Sequence, residues 1–323
     1  MTTHRMRPLP AKPEIIFMGT PDFALPSLKA LIDHDHCVQA VVTQPDRPKG
    51  RSGKPVPPPV KEMAEDLGLN VLQPEKASDE AFCRTISTFS PDLLVVIAFG
   101  QILRTTLLNI PRWGGLNIHA SLLPRYRGAA PIQRAIINGE VETGLSAMRM
   151  TPGLDAGPIL LQEKTAIGVH ETAGELHDRL AGKAAPFLLK TLRDLSENTI
   201  REIPQEHALA TYAAKIDRNT GRIFWDRPGN EISALIRGLD PWPGAYTTVN
   251  GKTLKLFSSR TMSSGDGGMV PGRVRGHSGE GLMVETADAV ILVSELQLAG
   301  RKRVRASDFL RGFALAPGTV FGK

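Results

Sequence analysis

The chain has 323 residues, a hydrophobic share of 41% and a charged share of 22%, which is ordinary for a soluble globular protein. That length exceeds what one core comfortably holds, so two domains are expected, and no apolar run reaches the roughly 18–20 residues that span a bilayer. The formal net charge is +6, and the excess sits late in the chain: residues 216–323 carry 15 Lys/Arg against 10 Asp/Glu, while residues 1–215 carry 24 against 23. A basic surplus of that kind suits a polyanionic partner, or serves solubility alone.

The opening MTTHRMRPLPAKP (1–13) is basic but lacks an apolar h-region. It is expected to be a short disordered leader rather than a secretory signal. Glu14–Met18 (EIIFM) then reads as a strand, followed by Gly-Thr-Pro and by Asp22, which is expected to cap a helix running to about Ile32. Val38–Thr43, Leu93–Ala98 and Leu116–His119 are further apolar runs separated by helical stretches. Apolar runs without alternation, spaced by helices, predict a predominantly parallel sheet covered on both faces, a Rossmann-like α/β arrangement. Cys37 and Cys83 stand singly in these segments. A disulfide is not expected, a reducing cytoplasm is, and both thiols are expected to pack as small core residues.

After the second strand comes a loop, QPDRPKGRSGKPVPPPV (44–60). Its prolines leave no room for a regular element before about Val60. Arg47, Lys49, Arg51 and Lys54 face the single acid Asp46 there. Loops this long inside a compact domain are either functional or disordered. It is a proline-stiffened solvated loop or a basic finger laid against phosphates, and its glycines and charges suggest no fixed order without a partner.

A long amphipathic helix is predicted over Ala173–Leu195, with Leu176, Leu180, Phe187, Leu188 and Leu192 close to one face. Residues 196–215 are polar, without apolar periodicity, and read as a linker. From 216 to 323 the pattern changes to short strands punctuated by glycine: Ala245–Val249, Thr253–Ser258, Gly272–Arg275, Gly281–Glu285 and Ala289–Leu296. Asn250-Gly251 and Gly267-Gly268 mark turns between them. A small β-barrel with one substantial helix, Glu231–Gly238, is expected, and Arg301, Lys302, Arg303 and Arg305 cluster past its last strand.

The residues that carry chemistry are Asn117, His119 and Asp155. Ligands of an open parallel sheet bind at the carboxyl ends of its strands. Asn117 and His119 alternate about Ile118, so both side chains leave the same face. Asp155 follows in a turn flanked by Gly153 and Gly157, which would let backbone pass close to a ligand. An amide N–H and an imidazolium can stabilise the oxyanion formed when an amine attacks an acyl carbon, and each such donor is worth about 2.7–4 kcal/mol. A carboxylate beside the imidazole orients it, and can take the amine proton directly or through water. No cysteine or serine nucleophile is required, so direct acyl transfer between two bound substrates is expected. No His or Cys pair has ligand spacing, so no metal is expected. His170 and His177 are expected at the surface.

GTPDFA (19–24), TQPDRP (43–48), NIHASLLPRYRGAAPIQRAI (117–136), GLDAGPIL (153–160) and LDPWPGAY (239–246) together resemble the methionyl-tRNA formyltransferase family. These segments span nearly the whole chain. The NxH, SLLP and LDxG set belongs to the wider folate-dependent formyltransferase group. TQPDRPKGR, RGAAPIQRAI and the basic C-terminal region point to the tRNA members.

The resemblance implies a formyltransferase catalytic domain over 14–195 with its insertion loop at 44–60, a linker at 196–215, and an OB-like β-barrel over 216–323 lying along tRNA. It implies formyl transfer from 10-formyltetrahydrofolate to the α-amino group of methionine on initiator tRNA. Asn117, His119 and Asp155 would be the catalytic set. Ser121, Leu122, Leu123 and Pro124 would line the tetrahydrofolate site, with Val95–Gly100 as another wall of the pterin pocket. Arg51 matches the basic residue with which the family reads the acceptor-stem end, and Arg47, Lys49 and Lys54 would join it on the RNA. A monomer is expected. The glycine after the first strand is followed by Thr20-Pro21, so GxGxxG is absent and a nicotinamide enzyme is disfavoured. Two other classes stay open: a sibling formyltransferase acting on a small amine, and a non-catalytic RNA-binding protein of the same fold.

Overall fold

The computed structural model describes residues 8–48, 53–262 and 268–322, so Lys49, Arg51 and the expected turn glycine Gly267 lie outside the described residues. The chain divides into two compact units. Met1–Ala129, Gly144–Thr165 and His177–Tyr212 make up the first, and Ala130–Thr143, Ala166–Leu176 and Ala213–Lys323 the second. Two pieces of the stretch between 14 and 195 therefore cluster with the second unit.

The first unit is built on a seven-stranded sheet. Its strands are β1 (Glu14–Gly19), β2 (Cys37–Val42), β3 (Val71–Leu72), β4 (Leu93–Ile97), β5 (Gly115–His119), β6 (Glu142–Arg149) and β7 (Ile159–Ala166), in the spatial order β7-β6-β5-β4-β1-β2-β3. β1 pairs in parallel with β2 and β4, β2 with β3, and β4 with β5. Every residue of β4 and β5 is buried, as strands covered on both faces require. The antiparallel partner is β6, whose register sets Asn117 opposite Met148 and His119 opposite Ser146. The sequence hides β6 because Thr143, Gly144 and Ser146 interrupt its apolar content, although all three are buried.

The helices up to residue 196 are α1 (Leu25–Asp33), α2 (Pro59–Asp66), α3 (Glu80–Thr88), α4 (Thr105–Leu108), α5 (Pro131–Ile137) and α6 (Ala173–Ser196), of which α5 and the first residues of α6 fall in the second unit. Leu176, Leu180, Phe187, Leu188 and Leu192 of α6 are all buried, as their spacing predicts. Loops leaving the carboxyl ends of β1, β2 and β4 are tied together. The Thr20 hydroxyl donates to the Phe99 carbonyl at 2.8 Å, and Gln44 Nε2 donates to the same oxygen at 3.2 Å.

Several expectations need correction. Asp22 does not cap α1. It opens a 3-10 turn (Asp22–Ala24) that runs into the helix, and its Oδ1 accepts from the adjacent Phe23 N–H. The proline-rich loop is not devoid of structure before Val60: Arg47–Pro48 pairs antiparallel with Pro55–Val56, and α2 starts at Pro59. Proline lacks a donor, but with Pro48 opposite Pro55 both occupy one pair, leaving the N–H groups of Arg47 and Val56 for the ladder. Within the expected leader, Leu9 is buried and its N–H donates to the Leu195 carbonyl. Cys37 is exposed at the start of β2, where its thiol donates to Glu14 Oε2 at 2.8 Å, and Cys83 is only half-buried. His177 is half-buried too, set edge-on to the Phe23 ring and 3.4 Å from Asp22.

The second unit centres on an antiparallel sheet. Its strands β8 (Ala245–Val249), β9 (Lys252–Met262), β10 (Val274–Ser278), β11 (Gly281–Glu285) and β12 (Val290–Leu298) lie in the order β8-β9-β12-β11-β10. Asn250 and Gly251 both have positive φ, as the tight turn between β8 and β9 demands. The segment 318–322 joins the two outer strands. Gly318 and Phe321 donate to the carbonyls of Val274 and Gly272, and Gly322 donates to that of Thr248. Alternating residues of these strands bury Leu254, Leu256, Val274, Leu282, Val284, Ile291 and Val293 in one core. α7 (Gly229–Gly238) packs there, and a second helix, α8 (Ala306–Gly312), was not expected. Only Ala306 and Phe309 of it are buried, and Ser307, Asp308 and Arg311 break up the apolar content that would mark it in the sequence.

Glu285 is fully buried in this unit. Its carboxylate accepts from Val270 N–H, from Arg273 Nε and Nη2, and from Arg275 Nε, at 2.8–3.1 Å. Burial pushes its carboxyl up, but the Arg273 bond, the Val270 N–H and the two positive charges outweigh that and hold it below the ordinary glutamate value. A depressed carboxyl stabilises the fold above the ordinary range near pH ~4.3, and that contribution disappears as pH falls through the lowered value. Glu285→Gln is expected to cost on the order of 2–3 kcal/mol at pH 7. That is below the range for a fully buried pair, since both arginines stay about a third exposed. The variant should also weaken the pH dependence of stability on the acid side, which urea unfolding between pH 3 and 7 would measure.

Candidate active site

β5 ends at its carboxyl edge with Asn117 and His119, both about 8% exposed. The His119 ring is fixed from behind. Its Nε2 lies 2.9 Å from the Tyr126 carbonyl, and a carbonyl only accepts, so Nε2 carries the proton of the neutral ring. Nδ1 is left facing Asp155 Oδ2 at 3.8 Å. Asn117 Nδ2 reaches Asp155 Oδ1 at 3.5 Å. Both distances exceed a good hydrogen bond: Asn117 Nδ2 faces the carboxylate as a donor, and His119 Nδ1 joins it as a donor only when the ring is protonated.

Asp155 sits in the turn between β6 and β7 with a φ of +46°, which is unusual for a residue with a side chain. Three contacts hold it there. Gly128 N–H donates to Oδ2 at 2.8 Å, and Gln205 Nε2 donates to the Asp155 carbonyl at 2.8 Å and to the Gly157 carbonyl at 2.7 Å. Gln205 Oε1 in turn accepts from Arg127 Nε and Nη2 at 3.0 and 2.7 Å, and Arg127 Nη1 meets His207 Nδ1 at 3.3 Å. Tyr126 has a φ of +60°, and its N–H is taken by the Thr211 hydroxyl. The stretch 126–128 thus presents a carbonyl to His119 and an N–H to Asp155.

Gly157 is required for a reason other than the expected approach to a ligand. A Cβ there would lie 1.8 Å from the Arg149 carbonyl oxygen, so the glycine admits the neighbouring strand.

The SLLP segment is stapled from beneath by Ser146. Its hydroxyl donates to the Ser121 carbonyl at 2.6 Å and accepts from Leu123 N–H at 3.0 Å and Gln162 Nε2 at 2.8 Å. Ser121 and Leu123 are buried, Ser121 with its hydroxyl donated to the Arg125 carbonyl, while Leu122 and Pro124 are partly exposed. Of the Val95–Gly100 stretch, Val95, Val96 and Ile97 are strand core, and only Ala98 and Gly100 are exposed.

In the basic loop, Asp46 is taken up internally. Gln73 and Lys61 bond its carboxylate and hold its carboxyl below the usual range. Arg47 pairs with Glu75, with both side chains exposed. Lys54 is exposed as well. Among the described residues no group of three or more His, Cys, Asp or Glu could hold a metal ion. No helix of the described residues is long and apolar enough to cross a membrane.

Asn117, His119 and Asp155, distant in sequence, are therefore brought together, with SLLP running on directly from His119 and Ala120. Arg127, Ser146 and Gln205 were not singled out. Arg127 lies inside the RYRG run, but nothing in the polar stretch 196–215 marks Gln205.

Two family models match the chain, formyl transferase over residues 13–192 and the formyl transferase C-terminal domain over 215–314. A methionyl-tRNA formyltransferase of Pelobacter propionicus is 50% identical over 308 residues, covering 95% of this chain and 96% of its own. Among solved structures, the sugar 3N-formyl transferase WlaRD with dTDP and 5-N-formyl-THF superposes with a TM-score of 0.66 at 18% identity, over 90% of this chain and 99% of its own. HypX from Aquifex aeolicus with tetrahydrofolic acid gives a TM-score of 0.64 at 16% identity, over 93% of this chain and 47% of its own. At such identities the two structures establish the fold.

Replacing Ser146 by alanine leaves the buried Leu123 N–H and Ser121 carbonyl without a partner. Ser146→Ala is expected to lower the unfolding free energy by about 1–3 kcal/mol in urea titration, with the far-ultraviolet spectrum unchanged.

Proposed function

The chain belongs to the methionyl-tRNA formyltransferase family, and from that we infer that it transfers the formyl group of 10-formyltetrahydrofolate to the α-amino group of methionine on initiator tRNA. The observation that supports the site assignment is the convergence of Asn117 Nδ2 and His119 Nδ1 on the Asp155 carboxylate, at 3.5 and 3.8 Å.

The folate supplies the formyl group, and the SLLP segment with the Ala98–Gly100 turn is the surface we assign to its ring system. Leu122 and Pro124 offer partly exposed apolar contact there, over a backbone held by Ser146. Asn117 donates an amide hydrogen to the carbonyl oxygen as it gains charge. His119, with Nε2 committed to Tyr126, donates to the same centre from Nδ1 as the imidazolium. Asp155 accepts the proton lost by the attacking amine, directly or through a water, and that proton passes to the folate nitrogen as its bond to the formyl carbon breaks. Gly128 N–H holds Oδ2 and leaves Oδ1 the freer oxygen for that transfer.

Arg47, Lys49, Arg51 and Lys54 are assigned to the RNA phosphates, for which the loop's excess of positive charge is the support. All the groups invoked reside on one chain, so a monomer suffices. The substrates of such a reaction place it in the cytoplasm.

Comparing charged initiator with charged elongator tRNA as acceptors tests the function: rapid formylation of the initiator alone is expected, and transfer to neither overturns it. Asn117→Ala, His119→Ala and Asp155→Asn are each expected to lower kcat by about 10²–10³-fold with folate binding retained. Near-normal turnover in any of them removes that residue from the set. Arg51→Ala is expected to raise KM for the tRNA and reduce the salt slope of binding by about 1, without changing KM for the folate. An unchanged affinity for RNA would exclude the loop contact.

A further inference from the structure

We propose that Gln205 and Arg127 form a positioning pair, which sets the Asp155 carboxylate in its reactive place and makes the stretch after α6 a working part of the active site. The proposal rests on the assignment of Asp155 made above.

Gln205 is 6% exposed and its polar atoms are fully engaged. One amide nitrogen bridges the carbonyls of Asp155 and Gly157, two residues apart, at 2.8 and 2.7 Å. Both carbonyls follow the positive φ of Asp155 directly, so the bridge pins the exit of the turn that carries it. The amide oxygen takes two donors from one guanidinium, which fixes the orientation of the amide and prevents a flip that would turn oxygen toward the carbonyls.

Arg127 is 3% exposed, and within the described residues its hydrogen bonds go to Gln205 and His207, not to a carboxylate. Burying a cation against neutral acceptors is costly, so its retention calls for a compensating task. The next residue donates its N–H to Asp155 Oδ2. The guanidinium thus anchors the segment that grips Asp155 from one side and orients the amide that grips it from the other. Neither Gln205 nor Arg127 reaches the reacting atoms. Both act through Asp155.

Gln205→Glu separates this role from simple packing, because it keeps the shape and the acceptor for Arg127 but replaces the bridging donor by an oxygen. In the full-length chain, kcat for formyl transfer is expected to fall about 10–100-fold, since small misplacements of a reacting group have effects of that size. Folate should still bind one per chain with KM within about twofold. The curve of kcat against pH should be displaced along the pH axis, because the carboxylate moves relative to the imidazole. A mere loss of folded protein would scale that curve without displacing it. Gln205→Asn, which retains an amide one methylene shorter, should recover part of the loss. Hydrogen exchange gives a second readout that needs no RNA: the Gly128 amide is expected to lose protection in Gln205→Glu while the amides of β4 keep theirs. Turnover within twofold of wild type, or a curve that is only scaled, overturns the proposal. If the wild-type chain transfers to neither tRNA, the functional assignment fails, and retained Gly128 protection in the variant would then overturn the positioning role by itself.

Discussion

The Asp155 carboxylate has to sit on a backbone that side chains ordinarily avoid. Its left-handed conformation points it back toward the end of β5, where Asn117 and His119 emerge. A turn so shaped does not persist on local preference; it persists because distant segments over-determine it. Gly128 takes one carboxylate oxygen, Gln205 takes two carbonyls at the exit of the turn, and Gly157 admits the Arg149 backbone. The rest of the site hangs on that. Tyr126 turns its carbonyl toward His119 only because the chain reverses just ahead of Gly128, and that reversal is pinned by Thr211.

This division of labour separates the groups that would meet a substrate from those that place them. Asn117 and His119 ride on a fully buried strand, the stiffest mount an α/β sheet offers, and Asp155 rides on a turn made stiff by hydrogen bonds. Ser146 treats the SLLP segment similarly. A hydroxyl has one donor and two acceptor positions, and Ser146 uses all three. Both the reacting edge and its apolar neighbour take their shape from buried side chains, Gln205 and Ser146, whose own hydrogen bonds fix them.

Much of this was legible in the sequence. Continuous apolar runs such as Leu93–Ile97 announce strands buried on both faces, and the N-I-H alternation places two polar groups on one side of a strand end. Asn250-Gly251 announces its hairpin because few other residues accept that pair of dihedrals. The family resemblance supplied the reaction, the folate and the RNA. What stayed hidden has a common cause: it depends on residues whose role is to bond backbone, and such residues leave no periodic trace. Gln205 lies in a stretch with no pattern at all. β6 is concealed by Thr143, Gly144 and Ser146, which are buried because their partners satisfy them rather than because they are apolar. The proline-rich loop misleads in the opposite sense, since a two-residue ladder survives when both prolines occupy one pair.

The segment 318–322 donates hydrogen bonds to the carbonyls of Gly272 and Val274 on one side and of Thr248 on the other. Those carbonyls belong to the outermost strands of an antiparallel sheet, the rows to which a foreign extended chain would otherwise add itself. In a unit whose proposed work is to lie along a long polyanion, an open β edge would invite molecules crowded onto the same RNA to zip together. With carbonyls at both edges taken by its own chain, the sheet offers fewer backbone acceptors on which a neighbouring molecule could add a strand.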